Sequence, residues 1–304
     1  MRTYDCNPTL TDTQVLEFCK QGFLVLEGIV PDEINRRMCE YIDAHKDEPI
    51  ISIKSKSNER RRGYEVRLPQ EDWFVENVIL NPQAAGAVRS LLGKNFGLPV
   101  LPNNHRVECP ATAQGWHRDG GSRYGPELNH LQVFYYPQDT PVELGPTEVV
   151  PGSHFFFAVQ SWISHYGHIR GAVKTAAPAG SIVITVYCIW HRRSASTAHG
   201  VRSMLKYCYW RTTPPTRDWI IERDFDLRSA PYSVDGSSHH APRQQHRDWY
   251  DAAEMFFWVC GKASEFPAFL GGGKWPMGYS PSRMPEGFHK FPTDGEIAPD
   301  GGLP

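Results

Sequence analysis

Two runs of β-branched and aromatic residues constrain this chain more than any other feature: Gly180-Ser-Ile-Val-Ile-Thr-Val-Tyr-Cys-Ile-Trp-His191 and Ser203-Met-Leu-Lys-Tyr-Cys-Tyr-Trp-Arg211. Such side chains pack well on a pleated surface and crowd a helix, so both runs are predicted to be buried strands. A polar stretch from Arg192 to Val201 separates them. That arrangement predicts a hairpin, with His191 and Arg202 near each other on neighbouring strands. His130-Leu-Gln-Val-Phe-Tyr-Tyr136 alternates as a further strand.

The segment Gln114-Gly-Trp-His-Arg-Asp-Gly-Gly121 carries chemistry. In an extended chain residues two apart point the same way, so His117 and Asp119 present an imidazole and a carboxylate together while Arg118 faces away. The glycines that follow let the backbone turn out of the strand. Imidazole plus carboxylate is two thirds of the 2-His-1-carboxylate triad that holds non-haem Fe(II) with open coordination positions. Alone the pair is weak evidence, and His191, at the end of the first β-rich run, supplies the missing imidazole. Arg202 follows eleven positions on (202 − 191) and brings a planar fork suited to a carboxylate.

His117-x-Asp119, then Gly145-Pro-Thr-Glu-Val-Val-Pro-Gly-Ser-His154, then Trp190-His191 with Arg202 eleven residues later, follow an order and spacing that resembles the phytanoyl-CoA dioxygenase family. That family belongs to the Fe(II)/2-oxoglutarate-dependent oxygenases, and the likeness covers about residues 10 to 215. It implies that His117, Asp119 and His191 bind iron and that Arg202 holds the distal carboxylate of 2-oxoglutarate. A polar residue on the upstream strand often touches the cosubstrate, which makes Asn104 a candidate; an Asn satisfied by backbone in the Pro-Asn-Asn turn is the alternative. The resemblance further implies a mainly β fold with α additions: a double-stranded β-helix (jelly-roll, cupin-like) core with N-terminal helices and a C-terminal extension. The implied enzyme takes Fe(II), 2-oxoglutarate and O₂, releases succinate and CO₂, and hydroxylates an unactivated C–H bond of a small organic molecule. Desaturation, cyclisation, epoxidation and a non-catalytic metal-binding module are the alternatives, while Asp119 disfavours a halogenase. One departure stands out: Arg193 sits two places after His191, where members often carry a small residue. Arg193 and Arg211 are the alternative cations for the cosubstrate, and His199 the alternative to His191. Eleven residues beyond His199 lies Trp210, which cannot pair with a carboxylate.

Composition excludes other classes. At 40% hydrophobic and 12% aromatic the chain can bury a core, and a net charge of −2 argues against a nucleic-acid partner. Seven scattered cysteines, odd in number, suit reduced thiols rather than a disulfide framework. No signal core, membrane-length apolar run or Ser-Lys-Leu ending is visible, so a cytoplasmic protein off the membrane, monomer or homodimer, is expected.

Along the chain, Thr11 to Gln14 is predicted to cap a helix bearing Val15, Leu16, Phe18 and Cys19 on one side, ended by Gly22. A strand from Phe23 to Ile29 follows, then a helix from Pro31 to about His45 and a third between Asn81 and Leu92. The basic stretch at 50–75 (Lys54, Lys56, Arg60, Arg61, Arg62, Arg67) reads as a solvated loop or as a lid drawing in an anionic substrate. His154 is expected to fix a turn, and His165 and His168 to lie at the surface. Gln114 and Gln132 are cavity candidates, and Trp116 packs in the core by default. The His239-His240 pair has no third ligand at suitable spacing. Asp248 to Cys260 predicts a helix in an extension that wraps the core, giving one domain over 1–304 with the β-helix at about 95–215 and the extension at about 216–304.

Overall fold

The computed structural model describes residues 2–46, 63–64, 67–119, 125–155, 160–227 and 242–266, with 63–64 and 242–249 as backbone alone. Lys54, Lys56, Arg60, Arg61, Arg62 and the His239-His240 pair lie outside the described residues; Arg67 is exposed. The described strands are β1 (Thr3–Tyr4), β2 (Phe23–Leu26), β3 (Gly63–Tyr64), β4 (Phe96–Gly97), β5 (Asn103–Asn104), β6 (Val107–Cys109), β7 (His130–Tyr136), β8 (Thr147–Val149), β9 (Val173–Lys174), β10 (Ser181–Val186), β11 (His191–Arg193), β12 (Gly200–Arg202) and β13 (Leu205–Trp210). The helices are α1 (Asp12–Gln21), α2 (Asp32–Ala44), α3 (Asp72–Phe74), α4 (Pro82–Leu92), α5 (Gln160–Ile163) and α6 (Pro242–Val259). Among the described residues no helix is long and apolar enough to cross a membrane.

Helix α1 starts as its sequence predicts. The Thr11 hydroxyl accepts the Gln14 N–H and the Gln14 side chain accepts the Thr11 N–H, a reciprocal capping box. Gly22 ends it in the left-handed region at φ 79°. A Cβ at Gly22 would run into the His154 ring, whose Nε2 donates to the Cys19 carbonyl at 2.9 Å. The Gly22 carbonyl in turn accepts the N–H of Val186 at 2.8 Å, where β10 stops. His154 thus fixes the turn against the end of α1, as expected.

The main sheet runs β1-β4-β13-β7-β10-β2, with β5 joining β13 and β3 pairing with β5. A second sheet runs β11-β8-β9 and a third pairs β12 with β6, and every pairing between these strands is antiparallel. Alternation divides the main sheet into two faces. Leu131, Val133 and Tyr135 of β7, Ile182 and Ile184 of β10, and Leu205, Tyr207 and Tyr209 of β13 join one core with Val15, Phe18, Met38, Val88 and Leu91 of the helices. Phe134, Tyr136 and Val183, with Met204, form a separate cluster on the other face, toward the small sheets. Antiparallel sheets packed face to face with helices bracing one side make up the expected jelly roll.

The hairpin expectation is corrected. Strands β10 and β13 are not neighbours, because β7 lies between them and pairs with both along its length. The first β-rich run also breaks: after Val186 the chain turns, with the Ile189 N–H returning to the Val186 carbonyl, and His191 opens β11 in the second sheet. The strand beginning at Phe23 stops at Leu26, short of Ile29.

The helix expected near 248–260 is α6, and it packs on α1. Ala252, Met255, Phe256 and Val259 enter the same core as Val15 and Phe18. Asp12, fully buried at the start of α1, accepts both arms of the Arg217 fork at 2.8 and 2.7 Å, the Trp219 indole and the Glu222 N–H.

Candidate metal and cosubstrate site

The two ligand candidates on the small sheet meet backbone to backbone. His117 and His191 form an antiparallel bridge in which each N–H donates to the other's carbonyl at 3.0 Å. Residues paired in this way present their side chains on one face, and the ring centroids lie 4.4 Å apart. Asp119, two residues on, shares that face, and ligand atoms of His117, Asp119 and His191 all lie within 4.8 Å of one another.

Each imidazole is oriented by its own strand. His117 Nδ1 lies 2.9 Å from the Gly115 carbonyl and His191 Nδ1 3.0 Å from the Ile189 carbonyl. A carbonyl only accepts, so Nδ1 carries the proton and Nε2 offers its lone pair, the usual outer support of a metal-bound histidine. Burial, with the neighbouring His117 helping, pushes the His191 imidazole down to about 3. Burial opposes ionisation of Asp119, but the Lys206 ammonium and the two imidazoles outweigh it and hold the carboxyl at about 2. At neutral pH Asp119 is therefore a carboxylate and His191 a neutral imidazole, and with the His117 ring they form a donor set that fits a divalent cation.

The main sheet supplies the opposite wall. Lys206 Nζ of β13 donates to Asp119 Oδ2 at 2.8 Å, and Gln132 of β7 donates to the same oxygen. The Phe134 ring lies 5.6 Å from that of His191. The cavity between the sheets encloses about 350 Å³ counting its open mouth and includes His105, Gln114, Thr147, Arg193, Arg202 and Lys206 in its wall. Arg202 is 1% exposed, donates from Nη2 to Thr147 Oγ1 at 3.2 Å and lies over the Tyr136 ring. Its Nε, the Nε and Nη1 of Arg193 and His105 Nε2 are buried with no hydrogen-bond partner among the described residues. Buried donors left unmade are costly, so the cavity fits a ligand rich in acceptors, such as a carboxylate.

Of the residues singled out in the sequence, His117, Asp119, His191 and Arg202 converge here, with Gln114 and Gln132. Asn104 does not line the cavity. It is registered opposite Leu205, which belongs to the helix-side core, so it falls on the other face, and its neighbour His105 reaches the cavity instead. His199, His165 and His168 are exposed. Trp116 is fully buried beneath the Arg192 guanidinium, 4.3 Å from its centroid, and Arg192 is paired with buried Glu148 at 2.8 Å. Arg211 donates to the Leu128 and Leu91 carbonyls and lies over Trp258, away from the cavity. Lys206 and His105 were not anticipated. For Lys206 the alternation of Met204-Leu-Lys206, with Leu205 the apolar member, was an available signal.

A jelly roll carrying a His-x-Asp…His cluster between its sheets defines the class of non-haem Fe(II)/2-oxoglutarate enzymes. The profile of the phytanoyl-CoA dioxygenase (PhyH) family matches residues 18–204, and the chain belongs to that family. It is accordingly an Fe(II)/2-oxoglutarate-dependent oxidoreductase that uses O₂. Among solved structures it is similar to the epimerase SnoN in complex with Fe³⁺, α-ketoglutarate and nogalamycin RO (15% identity over 66% of this chain and 82% of that one, TM-score 0.52). It is also similar to HygX from Streptomyces hygroscopicus with nickel and 2-oxoglutarate bound (16%, 68% and 88%, TM-score 0.52). The carbocyclase SnoK from nogalamycin biosynthesis covers more of the chain (19%, 78% and 98%, TM-score 0.52). At these identities the likeness is one of fold. No curated protein sequence matches the chain.

Proposed function

We propose that His117, Asp119 and His191 hold the Fe(II), that Arg202 seats the far carboxylate of 2-oxoglutarate, and that the enzyme hydroxylates an unactivated C–H bond of a small organic molecule. The observation that carries this reading is the buried Arg202 fork, without a carboxylate partner among the described residues, in the same cavity as two imidazoles locked with Nε2 free. Bound together, iron and 2-oxoglutarate activate O₂ for oxidation of a C–H bond, and the cosubstrate leaves as succinate and CO₂. The protein's part is placement. Lys206 and Gln132 both hold Asp119 Oδ2, leaving Oδ1 for the metal. Phe134 and Met204 supply apolar wall beside His191 and keep water from that side. His105 takes the upstream cosubstrate contact in place of Asn104, its unpartnered Nε2 facing the cavity.

The named activities of SnoN and SnoK, epimerisation and carbocyclisation, favour a second reading in which the same site ends its oxidation without adding a hydroxyl. We further read residues 1–304 as one domain of a cytoplasmic monomer or homodimer, with a small-molecule substrate and neither nucleic acid nor membrane as partner. The test is an anaerobic Fe(II) titration followed by succinate measurement on admitting O₂. One Fe(II) per chain and succinate formation are expected. Wild-type iron binding and succinate formation by Asp119→Ala would refute the ligand assignment.

A further inference from the structure

We propose that Arg193 joins Arg202 in seating the far carboxylate of 2-oxoglutarate, so that this group is held between two guanidiniums; the inference rests on the cosubstrate role given to Arg202. In β11 residues two apart share a face, so Arg193 projects on the same side as His191 and lies about 7 Å further along the strand. That separation is comparable to the length of a five-carbon diacid chelating a metal at one end. Arg193 is registered opposite Thr147 of β8, and Thr147 Oγ1 is the atom that accepts Arg202 Nη2 at 3.2 Å. Arg193, Thr147 and Arg202 line the same cavity, and Arg193 is near enough to Arg202 for the two charges to oppose each other.

The seat is rigid. Thr147 N–H donates to the Tyr136 hydroxyl at 3.1 Å, that hydroxyl is bonded to Thr175 Oγ1 at 2.9 Å, and Thr175 Oγ1 donates back to the Thr147 carbonyl at 3.0 Å. Arg193 is anchored by one arm, Nη2 to the Thr112 carbonyl at 2.9 Å, while its Nε and Nη1 are buried with no partner among the described residues. No carboxylate of the described residues pairs with either guanidinium. A buried cation beside a half-buried one, both with open N–H groups, is tolerable when an anion sits between them. A purely structural arginine would have used those donors on the protein.

Calorimetric titration of the anaerobic Fe(II)-loaded enzyme with 2-oxoglutarate and with 2-oxobutyrate, which lacks the far carboxylate, tests this. Arg193→Ala should weaken 2-oxoglutarate by roughly tenfold to a hundredfold while leaving 2-oxobutyrate and Fe(II) affinity as in the wild type. Arg193→Lys should recover part of the loss. Arg193→Gln, which keeps the bulk of the side chain, replaces the Ala variant should that one fail to fold. Wild-type affinity for 2-oxoglutarate in Arg193→Ala, or equal weakening of both ligands, would overturn the proposal. Unchanged 2-oxoglutarate affinity in Arg202→Ala would instead overturn the reading on which it rests.

Discussion

His117 and His191, 74 residues apart in the chain (191 − 117), are backbone partners: each donates its N–H to the other's carbonyl at 3.0 Å. The separation of two metal-ligand candidates is thereby set by main-chain hydrogen bonding, with the side chains left to point, and pre-organisation of this kind is what a precise site needs.

Removing one member of the cluster should therefore remove the metal without unfolding the strand. Asp119→Ala and His191→Ala should lose Fe(II) binding and succinate formation, whereas His199→Ala, altered at an exposed position, should keep both. A metal titration of the three variants checks this, and the reverse ranking of His191 and His199 would sink the assignment.

Two nitrogens and a carboxylate oxygen do not select iron by affinity. Zn²⁺ and Co²⁺ bind such sites at least as well as Fe²⁺, so either ion should inhibit the wild-type enzyme in proportion to its occupancy. Chelation followed by added Fe(II) should restore turnover. Inhibition that is unrelated to bound metal would point away from the cluster.

Arg202→Ala should raise the KM for 2-oxoglutarate about a hundredfold or more, since an unpaired buried charge costs roughly 3–5 kcal/mol. Arg202→Lys should rescue only part, because the planar fork is lost. Fe(II) affinity should not move. Steady-state succinate kinetics decide, and an unchanged KM refutes the role.

Asp12→Ala should destabilise the fold by roughly 2–3 kcal/mol, less than for a fully buried pair because Arg217 is 35% exposed. The loss should be read from the urea midpoint. It should weaken the docking of the 216–227 segment, since Arg217, Trp219 and Glu222 all bond to Asp12.

Burial pushes the His154 imidazole down from its ordinary 6.5 to about 4, against the Cys19 carbonyl that favours the charged form. On acidification the unfolded chain takes up this proton near 6.5 and the folded chain only near 4. The contribution is thus fully present above pH 6.5 and falls away between 6.5 and 4, by about 3 kcal/mol at most. Urea unfolding at several pH values should show a flatter slope in His154→Phe than in the wild type. An identical slope would assign the acid loss to other groups.

Signals that act within a few residues are legible in the sequence, and long-range strand pairing is not. The Thr11–Gln14 capping box and the period-two pattern of His130–Tyr136 determine α1 and β7 because each acts within a few residues. His117, Asp119, His191 and Arg202 were identifiable from residue type and spacing. Their route into the cavity was not: His191 and Arg202 arrive from different small sheets, and no short stretch specifies that β7 separates β10 from β13. Asn104 shows the same weakness at finer grain, since a one-residue difference in register exchanges the faces of a strand. For Lys206 the alternation places the side chain on the face opposite Leu205, but only the position of Asp119 across the sheets gives it a partner.

Gly22 has no side chain with which to touch a metal, yet it fixes where β10 stops. Its carbonyl holds the Val186 N–H, and its missing Cβ leaves room for the His154 ring. Beyond Val186 the chain has only the turn to Trp190 before it must arrive at His191 in register with His117. The coordinates of an imidazole in the cavity are thus calibrated from the end of a helix on the far side of the main sheet. Damage at Gly22 would accordingly surface as a misplaced ligand, a loss of function inherited from a residue that owns no functional group.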